Sequence, residues 1–235
     1  MNLNDLKISV DRGDNVPLTD FSGSADHCHV EFHFRDLEAR LVDLVSEADA
    51  VFGAVAWLTN VRVLNALAEV KDVSLVVQKE DFLRPDGGGD RWHERLRRLY
   101  SSLSCGFHRY MNLGLTTDMM SSCACPSIAP VRCVGNHNRE RSPSSPRMHN
   151  KFLVFARSNP EWPKTDSAPP VIPYAVWTGS FNVTANATRS FENAVVIRDE
   201  TVSAAYLKEF GQILALSEPL DWNSDWISPQ WRIGT

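Results

Sequence analysis

Between Asp36 and Val77 the chain alternates between two hydrophobic periods, and that alternation limits the folds open to it more than any other feature. Leu37, Leu41, Leu44, Val45 and Ala48 recur at three- and four-residue spacing among Glu38, Arg40, Asp43 and Glu47, which predicts an amphipathic helix over 36–48. The run from Asp49 to Trp57 is largely apolar, too short for a buried helix and rich in Val and aromatic residues, as a strand covered on both faces would be. Residues 61–70 repeat the helical spacing, and 73–77 repeat the buried-strand pattern. Helix, strand, helix, strand is the order of an α/β domain with a mixed, mostly parallel sheet flanked by helices.

Gly87, Gly88 and Gly89 interrupt this pattern, and a basic amphipathic helix is expected over 91–100, with Arg91, Arg95 and Arg98 on one face and Arg97 beside them. Such arginines suit a phosphate backbone, as do Arg132, Arg139, Arg141 and Arg147 further on. Residues 101–146 mix Ser, Cys, Pro and Arg with little periodicity and are expected to form an irregular insert with a strand near 129–134; segments of this length serve as lids or binding loops. Strands are expected from Arg147 to Phe155, over 174–178 and over 193–197, with a Pro-rich connection over 158–173 and a helix over 201–216. The organisation expected is a lead-in over 1–34 packed on one catalytic domain over 35–235, with Trp222, Trp226 and Trp231 as packing anchors.

Hydrophobic residues at 43% and charged residues at 23% describe an ordinary globular chain and exclude collagen-like and low-complexity classes. A net charge of −5 argues against coating nucleic acid by bulk charge, while leaving room for a local basic groove. No apolar run approaches the roughly eighteen residues that cross a bilayer, and the five cysteines lack the density of a secreted disulfide scaffold. A cytoplasmic protein that does not engage membranes is expected.

The residues that carry chemistry lie downstream. His149 and Lys151 are two apart on an expected strand, hence on one face of the sheet. The next strand ends in Gly179-Ser180-Phe181-Asn182, where Gly179 permits a tight turn and Ser180 and Asn182 supply short polar groups. Glu192 and Asn193 follow, just ahead of another apolar strand. An imidazole, an ammonium, an amide, a hydroxyl and a carboxylate gathered at one sheet edge suit a phosphoryl centre, with donors on the non-bridging oxygens and a histidine to attack or deliver a proton.

In His149-x-Lys151, Gly179-Ser180-x-Asn182 and Glu192-Asn193 the sequence resembles the phospholipase D superfamily over roughly residues 35–215. Two departures stand out. The family's Asp five residues after the Lys is Ala156 here, and the gap to Gly179 is longer than usual. The resemblance implies catalytic roles for His149, Lys151, Asn182 and Glu192, with Ser180 assisting at the non-bridging oxygens and Arg147 and Arg141 in substrate binding. In it His149 forms a phosphohistidine, Glu192 orients and charge-stabilises the imidazole, and no metal or other cofactor is required.

Only one His-x-Lys occurs, whereas the family site uses two, so the resemblance implies a homodimer with two His149 side chains facing each other across a two-fold axis. Single-copy members are mostly nucleases. The expected activity is therefore an endonuclease acting on DNA or RNA, of a kind often associated with bacterial defence. The alternatives are a phospholipid phosphodiesterase and a non-catalytic nucleic-acid-binding subunit that keeps the fold. Cys123, Cys125, Cys133 and His137 are a candidate set for a structural zinc, though their spacing matches no common module, and His27, His29 and His33 form a second, weaker ligand candidate.

Overall fold

In a computed structural model, the structure describes residues 5, 7–9, 15–17, 22–25, 29–79, 90–105, 129–135, 147–161, 171–220 and 222. A small antiparallel pair, β1 (Lys7–Ser9) and β2 (Asn15–Pro17), stands apart from the main sheet. The elements that follow are β3 (Gly23–Ala25), β4 (Val30–His33), α1 (Leu37–Ser46), β5 (Ala50–Val55), α2 (Val61–Ala68), β6 (Asp72–Gln78), α3 (Asp90–Ser101) and β7 (Val131–Val134). Then come β8 (Lys151–Ser158), β9 (Val171–Gly179), β10 (Ala194–Ile197), α4 (Glu200–Ala215) and the short β11 (Glu218–Pro219). A nine-stranded sheet runs in the order β11-β7-β6-β5-β8-β9-β10-β4-β3. Part of the segment upstream of residue 35 thus lies within the sheet.

The expected mixed α/β sheet flanked by helices is present, but its parallel share is smaller than the alternating pattern suggested. Among the described strands, parallel pairing joins β5 with β6 and β6 with β7, while β5–β8, β8–β9, β9–β10 and β10–β4 are all antiparallel. The physical reason is in the connections. Parallel neighbours need a long crossover, and α2 and α3 stand between β5, β6 and β7, whereas no helix is described between β8 and β9 or between β9 and β10 beyond one 3-10 turn at Ala187–Arg189.

Alternation along the buried strands separates the core into two layers. Val51 and Val55 of β5 face the side covered by Leu41, Leu44 and Val45 of α1, Val63, Leu64 and Leu67 of α2, and Leu96 of α3. Ala50, Phe52 and Ala54 face the opposite side, under Leu207, Phe210 and Leu214 of α4, with the Phe52 and Phe210 rings 5.8 Å apart. Every residue of β5 and β6 is buried, which is why β5 and the middle of β6, from Val73 to Val77, read as largely apolar. Of the tryptophans expected as anchors, Trp222 packs edge-on against Tyr100 at 5.9 Å; Trp226 and Trp231 lie outside the described residues.

The start of α2 is tied to the loop after β9. The Asn60 side chain caps α2, accepting from the backbone N–H groups of Arg62 at 2.9 Å and Val63 at 3.1 Å, and donates to Glu38 of α1 at 2.6 Å. The Asn60 backbone N–H donates to the Val183 carbonyl at 3.0 Å, which ties the loop after β9 to the end of β5.

Ala156, where the resembling family carries an Asp, is buried in the layer with Phe210 and Leu214, beside a register shift in β8. Its carbonyl accepts from Asp49 N–H at 3.0 Å, and the Asp49 carboxylate accepts from Ser158 N–H at 2.8 Å, so the polar work near this bend is done from β5's approach. A carboxylate at 156 would sit among apolar groups. Ala156→Asp is expected to lower the unfolding free energy by about 3–5 kcal/mol, the scale of an uncompensated buried charge, read as a lower urea midpoint; an unchanged midpoint would show that this layer admits a carboxylate.

Candidate active site

Four strand ends meet at one edge of the sheet. β5 leaves it at Val55, β8 enters at Lys151 opposite Val55, β9 leaves at Gly179, and β10 enters at Ala194 opposite Gly179. The expected strand from Arg147 begins later than its pattern suggested, at Lys151, so His149 lies just ahead of it. Beyond Val55 one bond toward the segment ahead of β8 continues among the described residues, Ala56 N–H to the Asn150 carbonyl at 2.9 Å. The two-residue spacing still brings the functional groups together: Lys151 Nζ lies 3.1 Å from His149 Nε2 and donates to the His149 carbonyl at 3.0 Å.

On the neighbouring strand ends, the Ser180 hydroxyl donates to the Glu192 carboxylate and accepts from Asn193 N–H at 3.0 Å. The Ser180 N–H donates to the Asn193 carbonyl at 3.1 Å. Gly179 is needed here for close approach rather than for a turn. A Cβ on it would lie 2.8 Å from Ala194 Cα, so a larger residue would push β10 and Glu192 away. Asn182 Oδ1 is buried, and the Asn182 side chain makes no hydrogen bond among the described residues.

Charge shapes the pair. Partial desolvation, then the Lys151 ammonium and the Arg147 guanidinium, hold the His149 pKa below its ordinary 6.5. Lys151 is itself lowered by desolvation, while the Glu192 carboxylate pulls it back up. With Lys151 as donor, His149 Nε2 is an acceptor, so the resting imidazole is neutral with its unshared pair covered by the ammonium.

Not every expected residue lies here. Glu192 reaches Ser180 and acts on Lys151 through charge, and makes no hydrogen bond to His149 among the described residues. Arg147 is half-buried beside His149; Arg139 and Arg141 lie outside the described residues. Arg132, on β7 three strands away from β8, donates to the Ser217 hydroxyl at 2.7 Å and carbonyl at 2.6 Å. Arg91, Arg95, Arg97 and Arg98 form the expected exposed face of α3. Of the zinc candidates only Cys133 is described. It is buried on β7 and its thiol is pushed up to about 12, by desolvation first, with Lys79 opposing and Glu218 adding; Cys123, Cys125 and His137 lie outside the described residues. Of the histidine cluster, His33 is buried and stacks on Trp177 at 6.2 Å, and His29 is exposed; His27 lies outside the described residues.

Sequence reasoning missed Gln78. This buried amide at the end of β6 accepts from Met148 N–H at 2.7 Å, fixing the backbone one residue before His149, and donates to the Lys79 carbonyl at 3.0 Å. Gly135, in the left-handed region at φ 100°, makes room for it. In sequence the one hint is a glycine at position 135, and a glycine alone does not name its neighbour.

A family model described as "Cardiolipin synthase, PLD-like domain" matches residues 121–214, the segment that holds His149, Lys151, Asn182 and Glu192. "Uncharacterized protein L381" of Acanthamoeba polyphaga mimivirus is 30% identical over 211 residues, covering 82% of this chain and 67% of that protein. Among solved structures, Nuc from Salmonella typhimurium, a phospholipase D family member, is 16% identical with a TM-score of 0.48, covering 80% of this chain and 95% of its own. NucT from Helicobacter pylori is 13% identical with a TM-score of 0.46, covering 81% and 98%. The chain belongs to the phospholipase D superfamily.

The electrostatics give a direct test. The His149 imidazole is expected to titrate below 6.5 by NMR, and Lys151→Met, which removes a cation 3.1 Å away, is expected to raise that value. A titration that does not move would place the ammonium elsewhere in solution.

Proposed function

We propose that this protein is a metal-independent phosphodiesterase that cleaves DNA or RNA through a phosphohistidine on His149. The observation that carries the reading is the contact between Lys151 Nζ and His149 Nε2, set beside the Ser180–Glu192 pair on the same sheet edge. A diester anion drawn to Lys151 takes the ammonium off Nε2 and uncovers the nucleophile. The Nε2 pair then attacks phosphorus and the bond to the leaving oxygen breaks. Lys151 and a rotated Asn182 amide donate to the non-bridging oxygens, where charge accumulates, with Arg147 and Arg141 drawing the anion in and Ser180 assisting. Glu192 holds Ser180 in place and sustains the charge on Lys151.

The leaving oxygen needs a proton, and the chain carries one His-x-Lys. We assign the acid to the partner subunit's His149 in a two-fold homodimer. That imidazole, now neutral, takes a proton from water as the water oxygen attacks phosphorus and the P–N bond breaks, which restores both histidines. Since donors and cations come from side chains, the reading needs no metal for phosphoryl activation.

The test is to incubate the full chain with plasmid, single-stranded DNA and RNA in excess EDTA, beside His149→Ala. Cutting by the parent, reduced at least 1,000-fold in the variant (about 4 kcal/mol of barrier), is the expected result. Equal cutting by both would remove His149 from the chemistry. Cutting by neither, with hydrolysis of phospholipid vesicles by the parent, would replace nucleic acid by lipid.

A further inference from the structure

Among the described residues three aromatic side chains are exposed, Phe34, Trp57 and Phe191, and all three lie at the edge that holds His149. Trp57 is 39% exposed although the backbone on both sides of it is fixed. Ala56 donates to the Asn150 carbonyl at 2.9 Å and accepts from Gln78 N–H at 3.1 Å, Leu58 bridges to Val183, and Thr59 N–H donates to the Val183 carbonyl at 2.8 Å. The indole is therefore presented by a rigid support and not by a loose loop. Phe191 is 53% exposed and directly precedes Glu192; the Arg35 guanidinium lies 5.7 Å from its ring centroid, a cation–π contact that positions the ring.

The two rings are carried next to strands that lie on opposite sides of β8, whose first residue is Lys151. Trp57 follows β5 and Phe191 precedes β10, with β8 and β9 between them, so three interstrand spacings of about 4.8 Å separate their strands by about 14 Å. Lys151, at the start of β8, lies between those strands, and Arg35 lies at the Phe191 end. Cations flanked by preorganised aromatic faces match a chain that alternates phosphates with flat bases whose faces are open to solvent. In a duplex those faces are already stacked on each other and offer the rings nothing without a costly unstacking.

We propose that Trp57 and Phe191 stack on bases either side of the phosphate held at His149 and Lys151, and so direct this site to single-stranded nucleic acid. The inference rests on nucleic acid being the substrate. Its test measures binding by fluorescence anisotropy in the His149→Ala chain, with three probes of one length: single-stranded oligothymidylate, a single strand of abasic residues, and a duplex. Adding Trp57→Ala or Phe191→Ala is expected to weaken oligothymidylate binding about tenfold each, the scale of one stacked base, with the abasic strand and the duplex unaffected. Trp57→Phe and Phe191→Tyr, which keep a ring, are expected to restore most of it. Equal weakening on all three probes, or none on oligothymidylate, overturns the inference. The same outcome accompanied by dissociation of a dimer places the rings in a subunit interface and overturns it equally. If the parent cuts no diester while the base-dependent loss stands, the hydrolase reading falls and this one remains.

Discussion

Strand β8 is held on both sides by antiparallel partners, β5 from Ala50 to Val55 and β9 from Val171 to Thr178, and the rest of the site depends on that placement. Its residues 152–156 are buried, so a shift by one residue would turn Phe152 and Val154 from the α4 layer into the other, and polar groups into both. The register is thus fixed by two cores at once. With it fixed, Lys151 has one position at the sheet edge, and His149 follows two residues upstream. The Asn150 carbonyl and the Met148 N–H are caught by Ala56 and Gln78, so the approach to the strand is anchored as firmly as the strand itself.

The cost of the arrangement is electrostatic. Desolvation lowers the pKa of both His149 and Lys151, and at His149 the Lys151 and Arg147 cations lower it further. An unliganded site therefore keeps the imidazole neutral, the form a nucleophile requires. A phosphodiester brings one negative charge to that place. It relieves the repulsion, and an imidazole beside it then holds a proton more readily, which is what a general acid facing the same phosphate requires. One charge distribution serves both roles, provided two copies of the chain meet at the site.

Much of this was legible in the sequence, for reasons that can be assigned residue by residue. β5 and the middle of β6 are wholly buried and so appear as largely apolar stretches, and α1 and α2 carry one-sided apolar spacing. His149, Lys151, Ser180, Asn182 and Glu192 stand out because their spacing encodes shared strand ends. The antiparallel majority of the sheet was hidden, since direction is set by what the connections allow and not by any strand's own pattern. The start of β8 was hidden too: Arg147 to Asn150 alternate like a strand, but β5 runs out at Val55 and leaves them no ladder. Gln78, Trp57 and Phe191 owe their place to pairing between distant segments, which no local pattern records.

The central claim is that His149 is the atom donor to phosphorus. The most direct measurement mixes the full chain with a cleavable oligonucleotide, quenches within one turnover at alkaline pH, where an N-linked phosphoryl group survives, and maps the adduct by peptide mass spectrometry. The account predicts a phosphoryl-nucleotide mass on the peptide containing His149 and none in Lys151→Met, which lacks the cation that draws the diester in. Single-turnover cleavage that proceeds with no adduct on His149 at any time point would contradict it.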